Sequence, residues 1–183
     1  MTSANQTTIT YRIDSQNIIV GVDGAWEAFA RDNGAVGLTA ATVLGNCILD
    51  YFADARVRHL YQLLFDSARR QQSPLSIPLR CDAPELRRHL ELTIVPEADG
   101  HLTIRSCTLQ TEPREPVPLL DDQSERSNEL ITICSWCKKV EVEGEWCEVE
   151  EAVDRLGLLV EVPHLIHGMC QPCHYGPGDL REI

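Results

Sequence analysis

Apolar and polar positions change period several times along the first hundred residues. From Tyr11 to Val22 the run YRIDSQNIIVGV is rich in β-formers, centred on Ile18, Ile19 and Val20, and Asp23-Gly24 marks a turn after it. Ala25 to Asp32 switches to helical spacing, with Trp26, Phe29 and Ala30 at i, i+3 and i+4. Gly34 and Gly37 interrupt the chain, and AATVLGNCILDYF follows as small helical pieces broken at Gly45. The longest helix is expected over Ala55 to Gln72, with Asp54 as its N-cap. Its stripe Val57, Leu60, Tyr61, Leu64 and Ala68 faces inward, while Arg56, Arg58, Arg69 and Arg70 face water.

The period then drops to two. Leu75, Ile77, Leu79 and Cys81 alternate with Ser76, Pro78 and Arg80, and Pro78 favours an edge or a bulge. Leu86 to Pro96 and His101 to Gln110 form a hairpin around Asp99-Gly100, with Leu90, Leu92, Ile94, Leu102 and Ile104 inward. One strand, short helices, a long helix and three antiparallel strands make an α+β layout, with helices on one face of an antiparallel sheet. The Pro- and charge-rich stretch TEPREPVPLLDDQSERSNE reads as a linker over 111–129. Beyond it Val140 to Gly144 is expected to turn, and Trp146, Val149, Val153 and Leu156 recur at helical spacing up to Gly157. Leu158 to Val162 is expected as a short strand ended by Pro163.

The chemistry sits in this last quarter. Two Cys-x-x-Cys pairs, Cys134/Cys137 in ICSWCKK and Cys170/Cys173 in HGMCQPCH, are separated by 32 residues. Thiolates at i and i+3 can turn toward one point, and two such pairs supply the four soft donors of a tetrahedral Zn²⁺ site. The separation exceeds the compact zinc signature of roughly 15–20 residues. The expectation is therefore two separate knuckles, with a hairpin and a helix between them, closing a structural zinc site on Cys134, Cys137, Cys170 and Cys173. A module of about 50 residues has a small core, and the metal would supply much of its folding energy. Lys138 and Lys139 would offset the negative charge of four thiolates, and His167 stands close enough in sequence to replace one cysteine. Cys147 reads as a buried thiol on the helix that follows Trp146.

Other readings of the same cysteines stay open. A redox disulfide is one, although the βαβ turn that carries a thioredoxin-like pair is not visible. Cys170 to His174 also spells the C-x-x-C-H haem attachment signature, which normally accompanies export. Iron in a four-thiolate site is geometrically allowed.

Charge narrows the partners. The chain of 183 residues carries a formal charge of −12, and from Ile131 onward four basic residues face ten acidic ones. That balance opposes binding to phosphate backbones, so no nucleic-acid partner is expected. No apolar run approaches the roughly 20 residues that span a bilayer, so no membrane partner is expected either. MTSANQTTIT has neither a charged nor an apolar leader segment. The expected location is the cytoplasm, where eight cysteines favour metal over disulfides.

The features IIVGVDGAWEAFA, ILDYF before the long helix, and RCDAPELRRHLELTIVP at the hairpin entry resemble the PAS family over about residues 10–110. The segment over 130–183 resembles the cysteine-rich tail found after PAS or receiver modules in bacterial signalling proteins. Cys134, Cys137, Trp146, His167, Gly168, Cys170 and Cys173 fall where that pattern places them, and Gly176-Pro177-Gly178 departs from it. The resemblance implies a PAS-like sheet and a small zinc-stabilised C-terminal module, joined in a homodimeric sensor. It implies a small ligand in the PAS-like pocket and a protein partner as output. As cofactor sites, His59 is the candidate axial ligand for haem b, and Asn46-Cys47 sits near where a flavin photoreceptor carries its cysteine. The flanking residues of Cys47 do not match that motif, and Cys47 reads as a core thiol. With no phosphate loop and no nucleophile elbow, no enzyme is expected. The expectation is a non-enzymatic signalling or regulatory protein; the alternative is a thiol-based redox or metal-responsive switch.

Overall fold

The structure, a computed structural model, describes residues 7–158 and 161–174. Asp14 decides the first topology. Its Oδ1 accepts from the Gln16 and Ile18 backbone N–H groups at 2.8 and 2.9 Å, and Asn17 adopts φ 65°. The run expected as one strand therefore folds back as a hairpin of β1 (Thr8–Ile13) and β2 (Ile19–Val22). Ile9, Tyr11 and Ile13 alternate inward along β1, while Thr8 and Arg12 face water.

Helical pieces follow where expected. They are α1 (Trp26–Asp32), α2 (Ala40–Val43), a 3₁₀ turn at Ile48–Tyr51 and α3 (Ala55–Gln71). Asp54 caps α3, its Oδ1 accepting from Arg56 N at 2.7 Å and Val57 N at 3.2 Å. Leu64, Phe65 and Ala68 of α3 are buried against Ile77, Leu92, Ile94, Leu102 and Ile104 of the sheet. Full burial of a side chain such as Phe65 is worth about 1.5–3 kcal/mol. Arg69, expected in water, instead donates to Asp14 O, Asn17 Oδ1 and Gly100 O, each at 2.8 Å. Those three acceptors are turn groups outside the sheet ladder, and one guanidinium fork reaches all of them.

The strands β3 (Leu75–Arg80), β4 (Leu86–Pro96) and β5 (Leu102–Pro113) complete a five-stranded antiparallel sheet ordered β2-β1-β5-β4-β3. Pro78 lies on the edge strand, where its missing N–H costs no ladder bond.

The stretch 111–129, expected as a linker, is ordered. β5 runs on to Pro113, a 3₁₀ turn spans Pro118–Leu120, and β6 (Glu125–Cys134) begins within it. Leu119 is fully buried, which is why this stretch cannot hang free. A second sheet ordered β8-β7-β6-β9 contains β7 (Val140–Val142), β8 (Glu145–Cys147) and β9 (Glu161–Gly168). Between β8 and β9 runs α4 (Val149–Leu156), and α5 (Gln171–His174) follows β9. Gly157 ends α4 at φ 66°, as a left-handed cap.

Two expectations here are corrected. Trp146 and Cys147 lie on β8 rather than on the helix, because Val140–Val142 pairs with Glu145–Cys147 across the Glu143-Gly144 turn. Pro163 does not end its strand: β9 continues to Gly168, and Pro163 sits at a register irregularity on a sheet edge. Of the expected strand Leu158 to Val162, residues 159 and 160 lie outside the described residues, as does Gly176-Pro177-Gly178.

Candidate metal centre

β6 and β9 are parallel, paired from Glu125↔Glu161 to Cys134↔Gly168. A parallel pair needs a crossover, and here β7, β8 and α4 supply it. Both strands therefore finish at the same end of the sheet, and each leads into a knuckle. This is why cysteines with 32 residues between them meet.

The first knuckle is a tight turn after Cys134. Cys134 N donates to Lys139 O at 2.7 Å, Lys138 N to Cys134 O at 3.1 Å, and Lys138 adopts φ 60°. Lys138 Nζ donates to Ser135 O at 3.0 Å, so its ammonium folds over the knuckle. The second knuckle opens α5, with Cys173 N and His174 N donating to Cys170 O at 3.1 and 2.9 Å. The two are joined by Ser135 N, which donates to Gly168 O at 2.9 Å. Gly168 must be small there, because a Cβ would stand 2.7 Å from Thr132 Cγ2.

The Sγ atoms of Cys134, Cys137, Cys170 and Cys173 all lie within 4.8 Å of one another. Cys137 Sγ and Cys170 Sγ are 3.6 Å apart, and all eight cysteines are free thiols. A tetrahedral ion with metal–sulfur bonds of about 2.3 Å has sulfur–sulfur edges of about 3.8 Å. The donor set therefore fits a metal ion of that kind. Cys134 and Cys170 are buried, while Cys137 and Cys173 are half-buried. The crowding polarises the thiols. The Cys137 thiol donates to Cys134, and that hydrogen bond outweighs burial, bringing Cys134 down to about 4. The same bond, with burial, pushes Cys137 up. Burial, then the Cys170 hydrogen bond, pushes Cys173 up to about 12. Without a cation one thiolate is easy to form and further ones are not; a bound divalent ion reverses this.

The other residues chosen from sequence lie apart from the four sulfurs. His167 Nδ1 stands 3.4 Å from Asp54 Oδ2, so the imidazole faces the α3 cap rather than the cysteine cluster. Cys147 is a buried thiol whose Sγ lies 3.7 Å from Val140 O. Cys47 is half-buried, in a bridge with Ile18, rather than fully in the core. Cys81 is exposed. His59 is on the solvent side of α3.

What sequence reading missed is the seam between the cysteine module and the first sheet. Trp136, inside the first knuckle, packs edge-on to Tyr61 of α3 with ring centroids 6.3 Å apart. Arg80 N donates to Trp136 O at 2.7 Å. Arg80 pairs with the fully buried Asp82 and, at 2.6 Å, with Glu148; Arg114 pairs with Asp82 at 3.2 Å and Glu150 at 2.9 Å. Desolvation of Arg80 would favour its neutral form, but bonds to the Asp82 and Glu148 carboxylates outweigh this and raise its pKa. Only the clustering of RCD with the acids of the EVEE segment could have hinted at this contact.

Fold and site together define an α+β protein with a four-cysteine centre that can hold a metal ion. No family model matches the chain, and no curated protein matches it. Among solved structures it is similar to the crystal structure of a domain of HTR-like protein from Haloarcula marismortui ATCC 43049. The two are 15% identical over 56% of this chain and 98% of that one, with a TM-score of 0.41, a likeness too loose to carry an argument about this chain. No helix among the described residues is long and apolar enough to cross a membrane.

Proposed function

We propose that this chain is a non-enzymatic signalling or regulatory protein of the cytoplasm, in which a PAS-like sheet-and-helix domain is coupled to a module closed by structural zinc. The observation that carries the reading is the convergence of four sulfurs at the end of a parallel strand pair, against the helix of the first domain. Soft thiolates select zinc or iron, and a closed four-sulfur site is the structural zinc pattern. The antiparallel sheet with its helices between the second and third strands supports the PAS-like part. In this reading the module is a rigid docking surface for a protein partner, in a homodimer. The charge of −12 disfavours nucleic acid as that partner.

Elemental analysis with a visible spectrum of the purified chain tests the metal half. One zinc per chain and no visible absorbance is expected; iron, haem or flavin colour, or no metal, would overturn it. Thermal stability scans against small molecules and candidate proteins test the signalling half, which fails if nothing stabilises the chain.

The half-buried state of Cys137 and Cys173 favours a second reading, a thiol switch. Peroxide would oxidise two thiolates to a disulfide, itself reduced to water, and release the ion. A site that keeps its zinc under mild peroxide is structural only.

A further inference from the structure

A cleft of about 310 Å³ opens between α3 and the second knuckle. Arg56, His59, Leu60 and Leu63 line one side, and Gly168 and Met169, just ahead of Cys170, line the other. The four helix residues fall at i, i+3, i+4 and i+7, so they share one face of α3 beside the buried stripe that carries Leu64 and Ala68. Leu60, Leu63 and Met169 give it an apolar floor, and the unbranched thioether of Met169 can adapt to what lies on it. No Asp or Glu is among the lining residues, in a chain with 28 acids against 16 Lys and Arg. Arg56 reaches across the cleft, one terminal nitrogen donating to His167 O at 2.9 Å. Among the described residues that is its one side-chain hydrogen bond, and the remaining edge of the planar fork matches a carboxylate.

We propose that this cleft binds a small organic monoanion, a carboxylate on a compact apolar body. The volume of about 310 Å³ is at the low end for small-molecule sites, which run from about 300 to 1,000 Å³, so only a compact apolar body can be enclosed. The occupant would touch α3 and the second knuckle at once, and so would clamp the module to the first sheet. The site lies outside the sheet-and-helix interior and does not depend on the signalling reading: carboxylate binding can be measured whether or not the chain has a signalling partner.

The test uses the full chain as purified, titrated at fixed ionic strength with benzoate, phenylacetate and hexanoate, and with phenylacetamide as the uncharged control. Amide resonances report the location. Saturable shifts at residues 56–63 and 168–169 are expected with at least one acid, and phenylacetamide should bind at least about tenfold more weakly. Arg56→Gln should weaken the acid about tenfold at an unchanged metal content, and Arg56→Lys should fall between. Leu63→Trp should fill the cleft and abolish binding; if that variant does not fold, Arg56→Gln, at an exposed position, decides. No saturable shift with any of the acids, equal binding of the amide, equal binding in Arg56→Gln, or shifts confined to other residues would each overturn the proposal.

Discussion

The two halves of the chain are held together differently. The first, from β1 to β5, closes a continuous apolar core in which Ile13, Phe65, Ile94, Leu102 and Ile104 are wholly out of water. The second has a smaller core of its own around Leu119, Val140, Val149 and Val162. At its cysteine end, however, Cys134, Trp136 and Cys170 are buried with the core of the first half. Area buried from water suffices for the first; the second adds four sulfurs and an ionic seam. The sheet half should therefore tolerate metal loss, whereas the module should not.

Chelation, or Cys170→Ala, is the largest expected break in that contrast. Structural zinc supplies on the order of 10 kcal/mol of apparent folding energy. Amide hydrogens of β6, β9 and α5 should lose protection while β4 and β5 keep theirs, as read by hydrogen exchange; equal loss in both halves would erase the distinction. Phe65→Ala should act in the opposite sense, costing about 3–5 kcal/mol and melting the sheet half first. At the seam, Asp82→Asn leaves Arg80 and Arg114 facing each other without their buried carboxylate, and should cost about 3 kcal/mol in a urea titration. Gly168→Ala should cost about 1–3 kcal/mol by forcing Thr132 aside, and Thr132→Ser, which removes the obstructing methyl, should restore much of it.

The smallest effect is that of the cap. Burial opposes ionisation of Asp54, but bonds from Arg56 and Val57 N–H and the neighbouring His167 outweigh it and hold its carboxyl below the usual range. A depressed folded pKa means the stabilisation is complete above the unfolded value of about 4 and fades as pH falls through the folded one. Asp54→Ala should cost about 1 kcal/mol at neutral pH and little in strong acid. A cost independent of pH would contradict this assignment.

Local chemistry made much of this legible beforehand. Asp54 announces α3, the alternation Leu90-Leu92-Ile94 announces β4, and the cysteine spacing announces the four-sulfur cluster. What stayed hidden depends on partners far along the chain. The β6–β9 pairing that unites the knuckles joins residues more than thirty positions apart, and no periodicity encodes it. The stretch 111–129 looked like a linker because its prolines and charges are local, whereas Leu119 is buried by a sheet formed later. Arg69 looked solvated, and nothing marked Arg80 as a seam residue, because sequence does not show the carbonyls and carboxylates that satisfy them.

One ion is expected to hold all four knuckle sulfurs. X-ray absorption at the zinc edge of the purified chain measures this directly. Four sulfur neighbours at about 2.3 Å are expected. A shell containing nitrogen from His167, or a protein that retains no metal while its cysteine module stays folded, would contradict it.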